Sequence, residues 1–177
     1  MKVQSKVVAF IAARSGTGKT TLMEALVPRL KEKGYRVGTV KHSTHEAVVD
    51  REGSDSWRFT RAGADVTVLA ANGQLAVFRA IEEPSLDDAL LEASSGTDIV
   101  LVEGFKEMSV PKIEVYRSGH SGKLHCRGEE YSDPYLVAVA SDLPLDLDVP
   151  VLDLNDPEEI CEFIVEGIIK GGIGNIE

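Results

Sequence analysis

Residues 7–21 read VVAFIAARSGTGKTT. A run of apolar and β-branched residues gives way to small polar ones and then to GKTT. The pattern nearly spells G-x-x-x-x-G-K-[ST]. In that loop backbone amides cradle phosphates, a lysine reaches the outer phosphates and a hydroxyl ligates magnesium. Ala13 stands where the first glycine is usual, but at a strand exit it adds only a methyl group. Gly16 and Gly18 remain at the tight part, where positive φ and close backbone approach to a ligand are needed. The amphipathic stretch TTLMEALVPRLKEK comes next, so a helix N-terminus, worth about half a positive charge, faces the bound anion. The stretch therefore reads as a nucleotide site. Ser15, Gly16, Thr17, Gly18, Lys19, Thr20 and Thr21 bind the nucleotide, with Lys19 acting on the phosphates and Thr20 on Mg²⁺.

The same alternation continues along the chain. VVAFIAA, YRVGTVK, VTVLAA, DIVLVEG, YLVAVAS and VPVLDL read as strands, several of them apolar on both faces. TTLMEALVPRLKEK, SDSWRFTRAG, SLDDALLEAS and DPEEICEFIVEGIIK read as helices. This predicts an α/β fold, a mainly parallel P-loop NTPase sheet with helices on both faces. Pro28 predicts a kink or early weakening of the first helix. Residues 106–131 lack helical periodicity: KIEVYR alternates like a half-exposed strand and SGHSG is turn material. A β-hairpin-like excursion on the sheet edge is expected there, and with it a dimer contact. No repeat or linker divides the chain, so one nucleotide-binding domain is expected over residues 1–177.

The bulk composition narrows the partners. Hydrophobic residues make up 43% and charged residues 27%, a soluble globular balance. No apolar stretch approaches the roughly 18 residues of a membrane span. Two cysteines and no signal-peptide layout point to the cytoplasm. The net charge of −10 is uneven: twelve acidic residues and no lysine or arginine fall between Gly128 and Ile169. The remainder carries seventeen acidic and nineteen basic residues. Such a body accepts a small anion, while the acidic stretch repels a nucleic-acid backbone.

A phosphate loop with magnesium needs a carboxylate at a neighbouring strand end. DIVLVEGFK offers Asp98 at the strand's start and Glu103 at its end. Ligands gather at the carboxyl ends of parallel strands, so Glu103 is the metal and catalytic candidate and Asp98 the strand-entrance cap. Lys41 and His42 end the second strand, and with Asp55 and Arg58 they form a candidate switch or substrate group. Asp50 is a further candidate for the metal or its waters, and Arg61 lies three residues after Arg58. Asp142, ending VAVASD, either accepts hydrogen bonds from guanine N1–H and N2–H₂ or caps local structure. His42 and His45 lie three apart, and His125 adjoins Cys126. Strand neighbours point to opposite faces, and no cysteine–histidine cluster of zinc-site spacing occurs.

Together these segments resemble the molybdopterin-guanine dinucleotide biosynthesis protein B (MobB) family. The resemblance rests on SGTGKTT, GTVKH, DSWRFTRAGA, VEGFK, PKIEV and VAVASD in that order, and covers roughly residues 7–155. It implies a dimeric GTP-binding protein with weak hydrolysis, assisting a MobA-type nucleotidyltransferase that joins GMP to molybdopterin. Ala13 departs from the family's usual glycine, and Arg14 stands where an aromatic residue is common. These differences leave phosphate binding intact and bear on turnover. Two other readings of the loop are a small-molecule kinase, with Lys106, Lys112, Arg117, Lys123 and Arg127 as lid cations, and a metallochaperone-type GTPase.

Overall fold

The computed structural model describes residues 5–43, 48–127 and 131–173. In chain order the elements begin with β1 (Lys6–Ile11), α1 (Lys19–Glu32), β2 (Val37–Lys41) and α2 (Asp55–Arg61). Next come β3 (Val66–Ala71), β4 (Gln74–Arg79), α3 (Leu86–Ala93) and β5 (Ile99–Glu103). The chain continues through β6 (Lys112–Tyr116), β7 (Leu136–Ser141), β8 (Val151–Asp153) and α4 (Pro157–Phe163). A π-helical stretch, Ile164–Lys170, extends α4. Contacts divide the chain into two compact units, Met1–His42 with Leu86–Glu177, and Ser43–Ser85.

The first unit is built on a six-stranded sheet ordered β2-β5-β1-β6-β7-β8, with every neighbouring pair parallel. Alternate residues of a strand face opposite sides, and β1 shows the consequence. Val8 and Phe10 join Leu22, Leu26 and Leu30 of α1 and Ile160 and Ile164 of the C-terminal helix in one apolar cluster. Ala9 and Ile11 join Leu86 and Leu90 of α3 in the other. Each fully buried Leu or Ile contributes roughly 2 kcal/mol, so helices are held on both faces. That is the architecture the sequence predicts. Asp156 caps α4 by accepting from the Glu158 and Glu159 amides, with Pro157 in the first turn. Asp98 at the entrance of β5 accepts from the Arg36 amide (2.7 Å) and guanidinium. The arginine pulls its pKa down to about 2.

Three local expectations are corrected. α1 continues past Pro28 to Glu32 rather than weakening early. Its buried stripe, Leu22, Met23, Leu26 and Leu30, keeps it against the sheet, and packing outweighs a single missing donor. VTVLAA is not a strand of the main sheet. It is β3, paired antiparallel with β4 in the second unit. The turn between them holds Asn72 at φ 52° and Gly73 at φ 74°, the positive pair that two-residue hairpins prefer. Finally, KIEVYR is no edge strand: β6 runs inside the sheet between β1 and β7.

The reason for the last correction is chemical. Ile113 and Val115 enter one apolar cluster, while Lys112 and Glu114 point the other way and are nonetheless 1% exposed. Their polar atoms are satisfied by chain on either side of the strand, the Lys112 ammonium donating to the Met108 carbonyl as well as to Asp133. The Lys112 ammonium lies 2.8 Å from Asp133 Oδ2 and over the Tyr135 ring. Glu114 accepts from the His125 and Cys126 amides at 2.6 and 2.8 Å. Burial alone would raise the pKa of Asp133, but the Lys112 hydrogen bond and the Tyr135 amide outweigh it and hold it low. Cys126 is fully buried beside these carboxylates, and desolvation, followed by the charge of Glu114 and Asp133, pushes its thiol up to about 12. Removing one member of a buried ion pair leaves the other uncompensated. Lys112→Met should therefore lower unfolding stability by about 3 kcal/mol, and adding Asp133→Leu should recover much of that loss; urea unfolding of the three proteins measures both.

Candidate functional site

The loop from Ala13 to Gly18 leaves the carboxyl end of β1 and opens α1 at Lys19. Gly16 (φ 76°) and Gly18 (φ 102°) take left-handed backbone, a conformation strained for residues with a Cβ. The first helical hydrogen bond runs from the Leu22 amide to the Gly18 carbonyl. Thr17 is fully buried, and its hydroxyl bonds none of the described residues.

The strand ends beside this loop converge on it. The Thr20 hydroxyl donates to Glu103 Oε2 at 2.8 Å. The Lys41 ammonium lies 3.5 Å from the same oxygen, and the Glu103 side chain is 14% exposed. Partial burial lowers the pKa of Lys19, assisted by Lys106 and Lys41 and opposed by Glu103. A hydroxyl and a carboxylate are hard oxygen donors, which suits Mg²⁺; that ion takes few protein ligands and fills its shell with water and phosphate oxygens. Among the described residues no group of three or more His, Cys, Asp or Glu is placed to hold a metal ion.

His42 comes directly after β2, with its amide bonded to the Glu103 carbonyl at 2.9 Å. Its ring stacks on Phe105 at 4.3 Å. Gly104 (φ 96°) is crowded by this histidine: a Cβ there would come within 3.0 Å of His42 Cβ. The glycine's close neighbour is thus a side chain of the same site. Thr21 is exposed on the first turn of α1.

On the other side of β1, residues after β6 reach the loop. Arg117 Nε donates to the Thr17 carbonyl (3.3 Å), and His120 Nε2 lies 2.8 Å from the Ser15 carbonyl. Asp142 at the end of β7 accepts from the Ser118 amide (2.7 Å) and hydroxyl (2.9 Å). The Ser118 amide is the main cause of its lowered pKa, acting against partial desolvation and with help from the Ser118 hydroxyl. Asp142 also lines an open cleft of about 380 Å³ with Ser141, Asp153, Asn155 and Glu159, at the carboxyl ends of β7 and β8. Arg117 and His120 are absent from the candidates named by sequence as loop residues. Their signal was position: once β6 is an interior parallel strand, RSGH falls at its carboxyl end.

The remaining candidates belong to the second unit. Asp50 is held low by the Ser56 hydroxyl and by hydrogen bonds from the Arg51 amide and the Ser54 hydroxyl, with slight burial opposing them. Ser54 caps α2 by accepting from the Trp57 amide. Asp55 and Arg58 pair with each other at 3.7 Å, and Arg61 lies over the Trp57 ring. The structure thus unites Lys19, Thr20, Lys41, His42 and Glu103 around the loop and places Asp50, Asp55 and Arg58 in the hairpin unit. His45 lies outside the described residues.

Fold and loop define a P-loop NTPase-type α/β protein. Residues 7–142 match the profile of the family described as MobB, molybdopterin guanine dinucleotide synthesis protein B, and the chain belongs to that family. It is 42% identical over 163 residues to the molybdopterin-guanine dinucleotide biosynthesis adapter protein of Escherichia coli (strain K12), covering 90% of this chain and 91% of that one. The corresponding adapter protein of Haemophilus influenzae is 40% identical over 156 residues, covering 87% and 85%. Among solved structures, a molybdopterin-guanine biosynthesis protein B superposes with a TM-score of 0.70 at 27% identity, covering 90% of this chain and 98% of that one.

Asp142 is the anchor of the segment that leans on the loop. Hydrogen bonds to a charged group are worth more than neutral ones. Asp142→Ala should speed hydrogen exchange at the Ser118 amide by about tenfold or more, read by NMR, with exchange in β1 and β5 unchanged.

Proposed function

We propose that this chain binds GTP with Mg²⁺ on the 13–20 loop, hydrolyses it slowly and serves as an adapter in attaching GMP to molybdopterin. The observation that carries the reading is the Thr20 hydroxyl 2.8 Å from Glu103, beside a loop whose two glycines sit at positive φ. The adapter role is supported by family membership and by the names of the relatives. In this reading Gly16, Thr17, Gly18 and Lys19 hold the phosphates, and Thr20 and Glu103 hold the metal. When bound, Mg²⁺ supplies charge neutralisation to the phosphate oxygens. Lys19 adds a positive charge to the outer phosphates, and Lys41 offsets the Glu103 carboxylate.

The cleft at the ends of β7 and β8 suits the guanine end of the nucleotide. Strands about 4.8 Å apart put β7, the second strand from β1 on that side, about 10 Å from the loop. Asp142 keeps a second lone pair on each oxygen for a base donor. The further partners in this reading are a MobA-type nucleotidyltransferase and a second copy of the chain, and the place of action is the cytoplasm. No helix among the described residues is long and apolar enough to cross a membrane. A small-molecule kinase is less well supported, because two of its five lid cations, Lys112 and Arg127, are committed to Asp133 and Asp148.

Calorimetry with GTP, ATP and a molybdopterin-type ligand, with and without Mg²⁺, tests the reading. GTP should bind more tightly than ATP, and Lys19→Ala should abolish tight GTP binding. An unchanged affinity in that variant would remove the loop from the assignment. Glu103→Gln should weaken binding with Mg²⁺ more than without it; equal losses count against a metal role. Single-turnover cleavage of GTP by the pure protein should be slow, and a rate of many per second contradicts the weak-hydrolysis part of the reading.

A further inference from the structure

Arg117 and His120, which reach the loop from beyond the motif, both bond its carbonyls, not its amides. Every peptide bond described is trans, and a planar trans unit points its C=O and its N–H in opposite directions. The Ser15 carbonyl shares a peptide plane with the Gly16 amide, and the Thr17 carbonyl shares one with the Gly18 amide. A donor that fixes either carbonyl therefore fixes the direction of the amide behind it. A carbonyl offers no proton, so the His120 contact at 2.8 Å requires the proton to be on Nε2.

Glycine peptides need such restraint. A residue without a Cβ crosses between backbone conformations at little cost, so Gly16 and Gly18 alone would let their amides swing. The space a side chain would fill is occupied instead. A Cβ on Gly16 would lie 3.3 Å from His120 Nε2, and one on Gly18 would lie 3.4 Å from Arg117 Nη2. The segment that carries both residues is itself braced. The Arg117 amide donates to Ser121 Oγ at 2.8 Å, and the His120 and Ser121 amides return to the Arg117 carbonyl. Ser121 is 2% exposed, and Ser118 is tied to Asp142 by two hydrogen bonds.

We propose that Arg117 and His120 are positioning residues that aim the Gly16 and Gly18 amides at a bound polyphosphate. The proposal rests on the reading of the loop as a phosphate site and adds two residues to it. Donors aimed in advance bind an anion without the cost of ordering them at the moment of binding. A hydrogen bond to the carbonyl also polarises the peptide, making its N–H a stronger donor.

The test uses the full chain and two probes, GTP with Mg²⁺ and inorganic pyrophosphate. In nucleotide-free protein, His120→Ala should move the Gly16 amide resonance and Arg117→Ala the Gly18 resonance. Each variant should also raise the dissociation constant for both probes about threefold to tenfold, the loss of one ordinary hydrogen bond. His120→Gln, whose side-chain amide can donate to the same carbonyl, should restore affinity, which a merely structural role would not require. Unmoved glycine resonances, or moved resonances with unchanged affinity for both probes, overturn the proposal. If the wild type binds pyrophosphate but not GTP, the GTP reading fails and the pyrophosphate series still decides the positioning role. If it binds neither, both fail.

Discussion

The carboxyl edge of the sheet depends on β1 lying parallel between β5 and β6. Parallel pairing puts the ends of all three strands on the same side, so the segments leaving them meet there. After β1 comes the glycine loop, at the end of β5 stands Glu103, and after β6 come Arg117 and His120. A one-residue slip in either ladder would turn every side chain of the strand to the other face. The two separate apolar clusters on the faces of β1 make such a slip costly, because each demands its own set of alternate residues. The same packing that stabilises the core thus sets the geometry of the site.

Much of this was legible from local pattern. The loop, its strand and its helix declare themselves through residue type and order, and the place of Glu103 beside the loop follows from its standing at the carboxyl end of a parallel strand. Asp98 was legible for the complementary reason, standing at the wrong end. What the pattern hid was strand order. KIEVY alternates polar and apolar, and period alone cannot distinguish a polar face in water from one buried against polar partners more than ten residues onward. Lys112 and Glu114 are of the second kind, since Asp133 and the backbone at 125–126 satisfy them. The misplacement of β6 carried Arg117 and His120 away from the loop with it. The hairpin of β3 and β4 did leave a local signal, the Asn72–Gly73 pair, which outranks the apolar look of VTVLAA.

The buried polar group under β6 also ties the site to the fold. Glu114 holds the backbone at 125–126 and Lys112 holds Asp133, and Arg127 reaches Asp148. The turn at 117–122 is thereby held at both ends: by β6 before it and by the stretch bonded to Glu114 after it. Placement of Arg117 and His120 thus draws on the core as well as on the turn's own hydrogen bonds.

The two thiols of the chain are both out of reach. Burial pushes the Cys126 thiol up to about 12, and Cys161, held against the sheet, is likewise raised by its desolvation. Alkylating reagents and mild oxidants act on thiolates, so the native protein should stay unmodified in air and blank to maleimide dyes. A single cysteine introduced at the exposed tip of the β3–β4 hairpin would be the one labelled position, giving a fluorescent or spin probe on that unit without first stripping the natural sulfur atoms.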